Sequence, residues 1–186
     1  MPIEHELKFV LRLDDRLQYE ARRLGELWEV EQGYLTKENG ITIRLRKTLE
    51  RDLGNIRYYF QTKCKVAKKF QSDTKSRIVE IGTEIDEHDF TMLWPTTEGR
   101  IHKLRYRIPI ADEVWEVDFF KDEENSTYFV MAEVEIADDG SNRFRSEMPK
   151  FIEDSIVFSV PVGDSRFSNR KLGNIRYATE LYRSLV

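Results

Sequence analysis

Apolar and polar residues alternate along most of this chain with a period of two, the pattern of strands that turn one face to a core. The alternation predicts strands near 2–12, 32–36, 41–47, 57–66, 77–85, 101–109, 113–120 and 128–137. Turn signals such as Asn39-Gly40 and Ala111-Asp112 join several of them, as an antiparallel meander requires. Two helical stretches interrupt the strands. The first runs from about Asp15 to Trp28, where Leu17, Ala21, Leu24, Leu27 and Trp28 form an apolar stripe behind an N-cap at Asp14 or Asp15. The second is short, near Glu87 to Trp94, and Pro95 ends it. After Gly140 the pattern changes. Residues 147–186 read as loops and one or two helices, with Ser168 a candidate cap for the last helical segment.

The charges inside these strands change the picture. Residues two apart share a strand face. Glu4, Glu6 and Lys8 therefore lie opposite Ile3, Leu7 and Phe9, and Arg44 and Arg46 lie opposite Ile43 and Leu45. Lys63 and Lys65 mark the fourth strand, Glu80 and Glu84 the fifth, and Lys103, Arg105 and Arg107 the sixth. Glu116 and Asp118 alternate with Trp115, Val117 and Phe119, and Glu133 and Glu135 with Ala132, Val134 and Ile136. For one strand, charges facing water are the ordinary explanation. Seven such strands, with acids grouped beside acids and bases beside bases, fit that explanation poorly, because adjacent like charges repel.

An α+β fold built on a closed, eight-stranded antiparallel β-barrel accounts for the pattern. Charges would face a tunnel, apolar residues would face outward under helices, and a helical segment would follow at the C-terminus. Enclosed charges need partners. Divalent cations suit the carboxylates, and phosphate oxygens suit Arg and Lys.

Composition adds limits. With 186 residues the chain fits a single domain, 1–186. Its 34% charged residues balance to a net −4, which suggests neither a nucleic-acid partner nor a membrane surface. Cys64 is the one cysteine, so no intramolecular disulfide forms and a thiolate metal site is disfavoured. The opening residues Met1-Pro2-Ile3-Glu4 do not read as a signal peptide, and no run approaches the roughly 18 apolar residues of a membrane span. A soluble, cytoplasmic protein, monomer or homodimer, is expected.

Glu4-His5-Glu6-Leu7-Lys8 fits an ExExK pattern, followed by Gln32-Gly33-Tyr34-Leu35, Arg44-Leu45-Arg46, Lys103-Leu104-Arg105-Tyr106, Trp115-Glu116-Val117-Asp118 and Ala132-Glu133-Val134-Glu135. In this order they resemble the motifs of the CYTH superfamily, the triphosphate tunnel metalloenzymes, from the first strand to about Leu172. Gly163-Asp164-Ser165-Arg166-Phe167-Ser168-Asn169 is similar to a segment of the short bacterial inorganic triphosphatases. The resemblance implies one or two Mg²⁺ or Mn²⁺ ions held by Glu4, Glu6, Glu133 and Glu135, with Asp118 and Glu116 assisting. It implies a small-molecule triphosphate gripped by Lys8, Arg44, Arg46, Lys63 or Lys65, Lys103 and Arg105, with Lys171 or Arg170 reaching in from the C-terminal helix. Lys8, Arg46 and Arg105 would act in catalysis. Two positions depart from the pattern: Gln61 stands where members show Thr, and Gly82 where a carboxylate is common.

The implied reaction is metal-dependent hydrolysis, with inorganic tripolyphosphate the leading substrate. Adenylate cyclisation, thiamine or nucleoside triphosphate hydrolysis, and a non-catalytic polyphosphate-binding module are the alternatives. His5 and His102 alternate away from the charged face and His88 falls in the short helix, so the histidines are not read as a metal site. Cys64 reads as a packing residue, and Trp28, Trp94 and Trp115 as core or helix-packing residues.

Overall fold

Strand alternation is realised almost throughout. The computed structural model describes residues 6–38, 40–66, 77–136 and 147–186, with the side chains of 37, 38, 65, 66, 77 and 78 outside the description. The elements are β1 (Glu6–Leu11), α1 (Asp15–Leu24), β2 (Glu26–Glu38), β3 (Ile41–Glu50), β4 (Asn55–Val66), β5 (Arg77–Ile85), α2 (Glu87–Leu93), β6 (Glu98–Ile110), β7 (Glu113–Lys121) and β8 (Thr127–Glu135). They continue with α3 (Lys150–Glu153), β9 (Ile156–Val160), α4 (Asn169–Leu172) and α5 (Ile175–Arg183). The expected turn at Asn39 falls outside the described residues.

α1 starts where the cap predicts, with the Asp14 carboxylate accepting the Leu17 N–H at 2.7 Å. It stops four residues short of the expected end. At Gly25 a Cβ would lie 2.9 Å from Ile108 Cγ1 and 3.0 Å from Tyr106 Cβ, so the chain passes tight against β6 and turns directly into β2. Leu27 and Trp28 are therefore strand residues, and Leu24 is exposed. Pro95 does close the helical run after α2, in a single 3₁₀ turn over Trp94–Thr96.

All pairings are antiparallel and build one nine-stranded sheet in the order β5-β4-β3-β2-β6-β7-β8-β1-β9. β9 was not expected from the sequence; its register runs from Lys8 opposite Val160 to Leu11 opposite Ile156. Among the described residues the ladder ends at β5 and β9, and no pairing joins the two edges. The sheet nonetheless curls, since residues of β1 to β8 all line one cavity.

Two apolar clusters sit on opposite faces of this curled sheet. On the convex face Phe9, Leu11, Tyr106, Trp115, Val117, Phe119, Ala132 and Val134 pack under Leu17 and Ala21 of α1 and Phe151 and Ile152 of α3. This is the outward core that the alternation predicts. The second cluster lies on the charged face. There Val10, Ile101, Phe120, Phe129 and Met131 meet Phe167, Leu172, Ala178 and Leu181. α4 and α5, the expected C-terminal helical segment, cover one end of the concave face, because that end of the inward rows of β1, β6, β7 and β8 is apolar rather than charged. Among the described residues no helix is long and apolar enough to cross a membrane.

Candidate functional site

Cross-strand partners in an antiparallel ladder share a face, so the register decides which charges meet. On one half, Glu6 faces Glu135 and Lys8 faces Glu133 across β1 and β8. Glu133 also faces Glu116 of β7, which faces Arg107 of β6, while Asp118 faces Arg105. On the other half, Arg46 faces Gln32, Arg44 faces both Tyr34 and Gln61, and Lys63 faces Glu80. The two halves enclose a cavity of about 790 Å³, lined by Glu6, Lys8, Tyr34, Arg44, Arg46, Gln61, Lys63, Glu80, Arg105, Arg107, Glu116, Glu133, Glu135 and the α4 residues Asn169 and Arg170.

Most of the cations in it are neutralised. Lys8 lies 2.8 Å from Glu133 Oε1 and 2.7 Å from Glu6 Oε1. Burial disfavours its charged form, but Glu133 and Glu6 outweigh that and raise its pKa above the ordinary value. Arg105 donates through Nε to Asp118 Oδ1 and through Nη2 to Asp118 Oδ2, both at 2.7 Å, and reaches Glu133 at 3.2 Å and Glu116. Asp118 also accepts from Lys103, and both of these side chains have no solvent exposure. Burial, then the charge of Arg105, lower Lys103 to about 8 despite that bond. Arg44 donates to Gln61 at 2.8 Å and to Glu80 at 2.7 Å, and Lys63 sits 3.0 Å from Glu80. Gln61, the departure from the superfamily pattern, thus helps to hold Arg44.

Arg46 differs. Its Nε and Nη2 donate to the Gln32 amide oxygen at 3.0 and 2.9 Å, and Gln32 in turn donates to the Tyr34 hydroxyl at 2.7 Å. Among the described residues it has no carboxylate partner. Burial, then Arg44 and Arg105, pull the guanidinium down to about 10. It stays charged at neutral pH, and Arg44 and Arg105 act on it more strongly than the Glu80 carboxylate does.

Of the residues expected to serve the site, the structure brings together Glu6, Lys8, Arg44, Arg46, Lys63, Arg105, Glu116, Glu133 and Glu135. Lys103 and Asp118 lie behind the cavity wall, fully buried, and do not line it. Glu4 and the side chain of Lys65 lie outside the described residues. Lys171 does not line the cavity; it is exposed, with Nζ 3.5 Å from Ser165 Oγ. Its neighbour Arg170 takes the inward place, with its guanidinium 5.8 Å from the Tyr34 ring centre. Gln32, Tyr34 and Asn169 were not assigned roles from the sequence. Gln32 and Tyr34 carry no charge to mark them, and Asn169 reaches the cavity only because α4 packs on β6.

Away from the cavity, His102 Nε2 lies 3.0 Å from Glu29 Oε1, and His88 is exposed on α2. His5 lies outside the described residues, and Cys64 is half-buried in β4. Trp115 is fully buried against Phe9, and Trp94 stacks on Phe90. Trp28 instead carries the Arg107 guanidinium 4.9 Å above its ring.

A divalent ion would need carboxylates. Among the described residues no three carboxylate, imidazole or thiol groups converge closely enough to hold one in the present arrangement, where Lys8 and Arg105 bridge the acids. The donor chemistry nevertheless fits a hard cation, since Glu6 and Glu135, and Glu116 and Glu133, stand as directly opposed like charges on three adjacent strands.

No protein-family description matches the chain, and no curated protein matches it. Solved structures do. The PH1819 protein from Pyrococcus horikoshii is 17% identical with a TM-score of 0.49, over 80% of this chain and 85% of that one. A conserved hypothetical protein from Pyrococcus furiosus is 19% identical with a TM-score of 0.48, over 81% and 84%. A candidate adenylate cyclase from Bacillus halodurans is 12% identical with a TM-score of 0.50, over 89% of this chain and 98% of that one. The chain shares its fold with that last protein along nearly the whole of both chains.

Proposed function

We propose that this chain binds a triphosphate in its charged cavity and hydrolyses it with the help of a divalent cation, inorganic tripolyphosphate being the leading substrate. The curled sheet would then work as a tunnel around the substrate. The observation that carries this reading is Arg46, an enclosed guanidinium without an anionic partner among the described residues, flanked by Arg44 and Arg105. An enclosed cation cluster of this kind is stabilised by an anion of several charges.

Arg46, Arg44 and Lys63 would grip phosphate oxygens from β3 and β4, and Arg105 and Lys8 from β6 and β1. Arg46 is held by the Gln32 amide before the substrate arrives, so it stabilises negative charge moving onto the leaving diphosphate without reorganising. Glu6, Glu116, Glu133 and Glu135, with Glu4, would hold Mg²⁺ or Mn²⁺. When bound, such an ion supplies charge neutralisation at phosphate oxygens and a more acidic water. For the acids to accept it, Lys8 must turn from Glu6 and Glu133 toward the substrate, exchanging internal ion pairs for phosphate contacts, while Arg105 keeps the place in which Asp118 holds it.

A second reading is adenylate cyclisation, with the ribose 3′-hydroxyl of ATP as nucleophile in place of water. The fold shared with a candidate adenylate cyclase favours it. Incubation with tripolyphosphate, ATP or thiamine triphosphate, each with Mg²⁺ or Mn²⁺ and with chelator controls, separates the readings. Chelator-sensitive phosphate release from tripolyphosphate supports the first, and cyclic AMP from ATP the second. Binding without turnover would leave a polyphosphate-binding module, and neither binding nor turnover would sink the proposal.

A further inference from the structure

The pair Lys103 and Asp118 sits one layer behind the cavity wall. Both side chains are 0% exposed and neither lines the cavity. Both oxygens of Asp118 are taken from within the protein: Oδ1 by Arg105 Nε at 2.7 Å, and Oδ2 by Arg105 Nη2 at 2.7 Å and by Lys103 Nζ. Lys103 Nζ also lies 3.4 Å from Asn169 Oδ1 of α4, and its ammonium stands 5.3 Å from the centre of the Phe120 ring. A planar guanidinium held by both Nε and Nη2 against one carboxylate has its fork direction set, whereas a single contact leaves it free to swing. Lys103 in turn holds the carboxylate and ties α4 to the cavity wall.

The geometry points to Lys103 and Asp118 as positioning residues, which aim Arg105 and anchor the cavity-lining Asn169, rather than as ligands of phosphate or metal. This rests on the proposed anion-binding role of Arg105. An Asp118 carboxylate whose oxygens already accept three donors in a sealed site has little left to offer a cation. To reach a substrate Lys103 would have to break its bond to Asp118 and leave that carboxylate to Arg105 alone, and opening a fully buried ion pair is costly.

The test is a mutant cycle on Lys103→Met, Arg105→Met and the double variant, with Asp118→Asn alongside. Tripolyphosphate turnover and the metal concentration for half-maximal activation are measured for each. Lys103→Met is expected to lower kcat by about 10- to 100-fold, the usual size for removing a residue that orients another. In the Arg105→Met background the same change should cost less than about twofold, because the group it aims is gone. Asp118→Asn should leave the half-activating metal concentration within about threefold of wild type, because Asp118 holds Arg105 and Lys103 and, in this assignment, no metal ion. Independent, multiplying losses from Lys103 and Arg105, or a metal requirement shifted more than about tenfold by Asp118→Asn, would overturn the assignment. Should Lys103→Met fail to fold, Lys103→Gln keeps a donor toward Asp118 and repeats the cycle. If the wild-type protein turns over no triphosphate, the functional reading fails on its own. Positioning is then read from the Arg105 side-chain Nε–H resonance, whose solvent exchange must speed up in Lys103→Met and must be unchanged if Lys103 aims nothing.

Discussion

Glu116 and Glu133 stand directly opposite one another on β7 and β8, with the Arg105 guanidinium reaching both carboxylates. Like charges so placed destabilise a sheet unless a cation stands between them. Here Arg105 is that cation, and in the proposed reaction a divalent ion would share the acids with it. Glu133→Gln is accordingly expected to abolish metal-dependent phosphate release while the protein stays folded. Metal titration of turnover and circular dichroism check this, and near-normal turnover would count against Glu133 as a ligand.

Arg46→Ala separates function from stability. Removal of one preorganised donor costs roughly 10²–10³ in rate. Arg46 sits among Arg44 and Arg105 with an amide, not a carboxylate, as its partner. Its loss should therefore leave the melting temperature unchanged or raise it, a result that calorimetry beside a rate assay will show.

Glu80 bridges Arg44 and Lys63 at 2.7 and 3.0 Å and occupies the place of an anion. Glu80→Gln removes a charge that repels phosphate, so tripolyphosphate should bind about tenfold tighter at low salt, with the gain shrinking as ionic strength rises. Titration calorimetry at two salt concentrations measures it. Weaker binding would mean that Glu80 takes part in holding the ligand.

Stability should fall on the acid side. Burial alone would raise both carboxyls, but Arg105 and Lys103 hold Asp118 below its ordinary 3.8, and Lys8, Lys103 and Arg105 hold Glu133 below its ordinary 4.5. Groups depressed in the folded state contribute stability above their unfolded pKa and lose it as pH falls through the folded one. Melting temperature in metal-free buffer should be level above about pH 5 and decline steadily below it. The decline should be shallower in Glu133→Gln.

Gly173 follows α4, where an added Cβ would lie 2.6 Å from Ile101 Cγ2 and 3.2 Å from the carbonyl oxygens of Gly99 and Arg100. The backbone cannot yield there without moving α4 off β6. Gly173→Ala should cost about 1–3 kcal/mol of stability, the usual range for overpacking. It should also lower turnover, because Asn169 and Arg170 move with the helix. Denaturant unfolding paired with kinetics tests both.

The alternation of Glu6 and Lys8, Arg44 and Arg46, and Glu116 and Asp118 with large apolar neighbours was enough to place these charges on one face and the outward core on the other. That inference needs no knowledge of tertiary structure, because strand side chains point up and down by covalent geometry. The end of α1 was not legible, since Leu27 and Trp28 continue a helical stripe, and only the close pass of Gly25 against Ile108 stops it. β9 was missed because its five residues show a short apolar run that a helix would show equally well.

What the sequence determined alone is the existence of a charged strand face and the identity of most of its charges. Which charges meet was decided by the register, which is set by pairing between strands far apart in the chain. Arg170 rather than Lys171 faces the cavity, Arg46 is left without a carboxylate among the described residues, and Asp118 is sealed behind Arg105, all by packing. The seating of α4 and α5 on the apolar end of the concave face was decided the same way. A helix and a sheet bury what each leaves uncovered, and that complementarity exists only once both are in place.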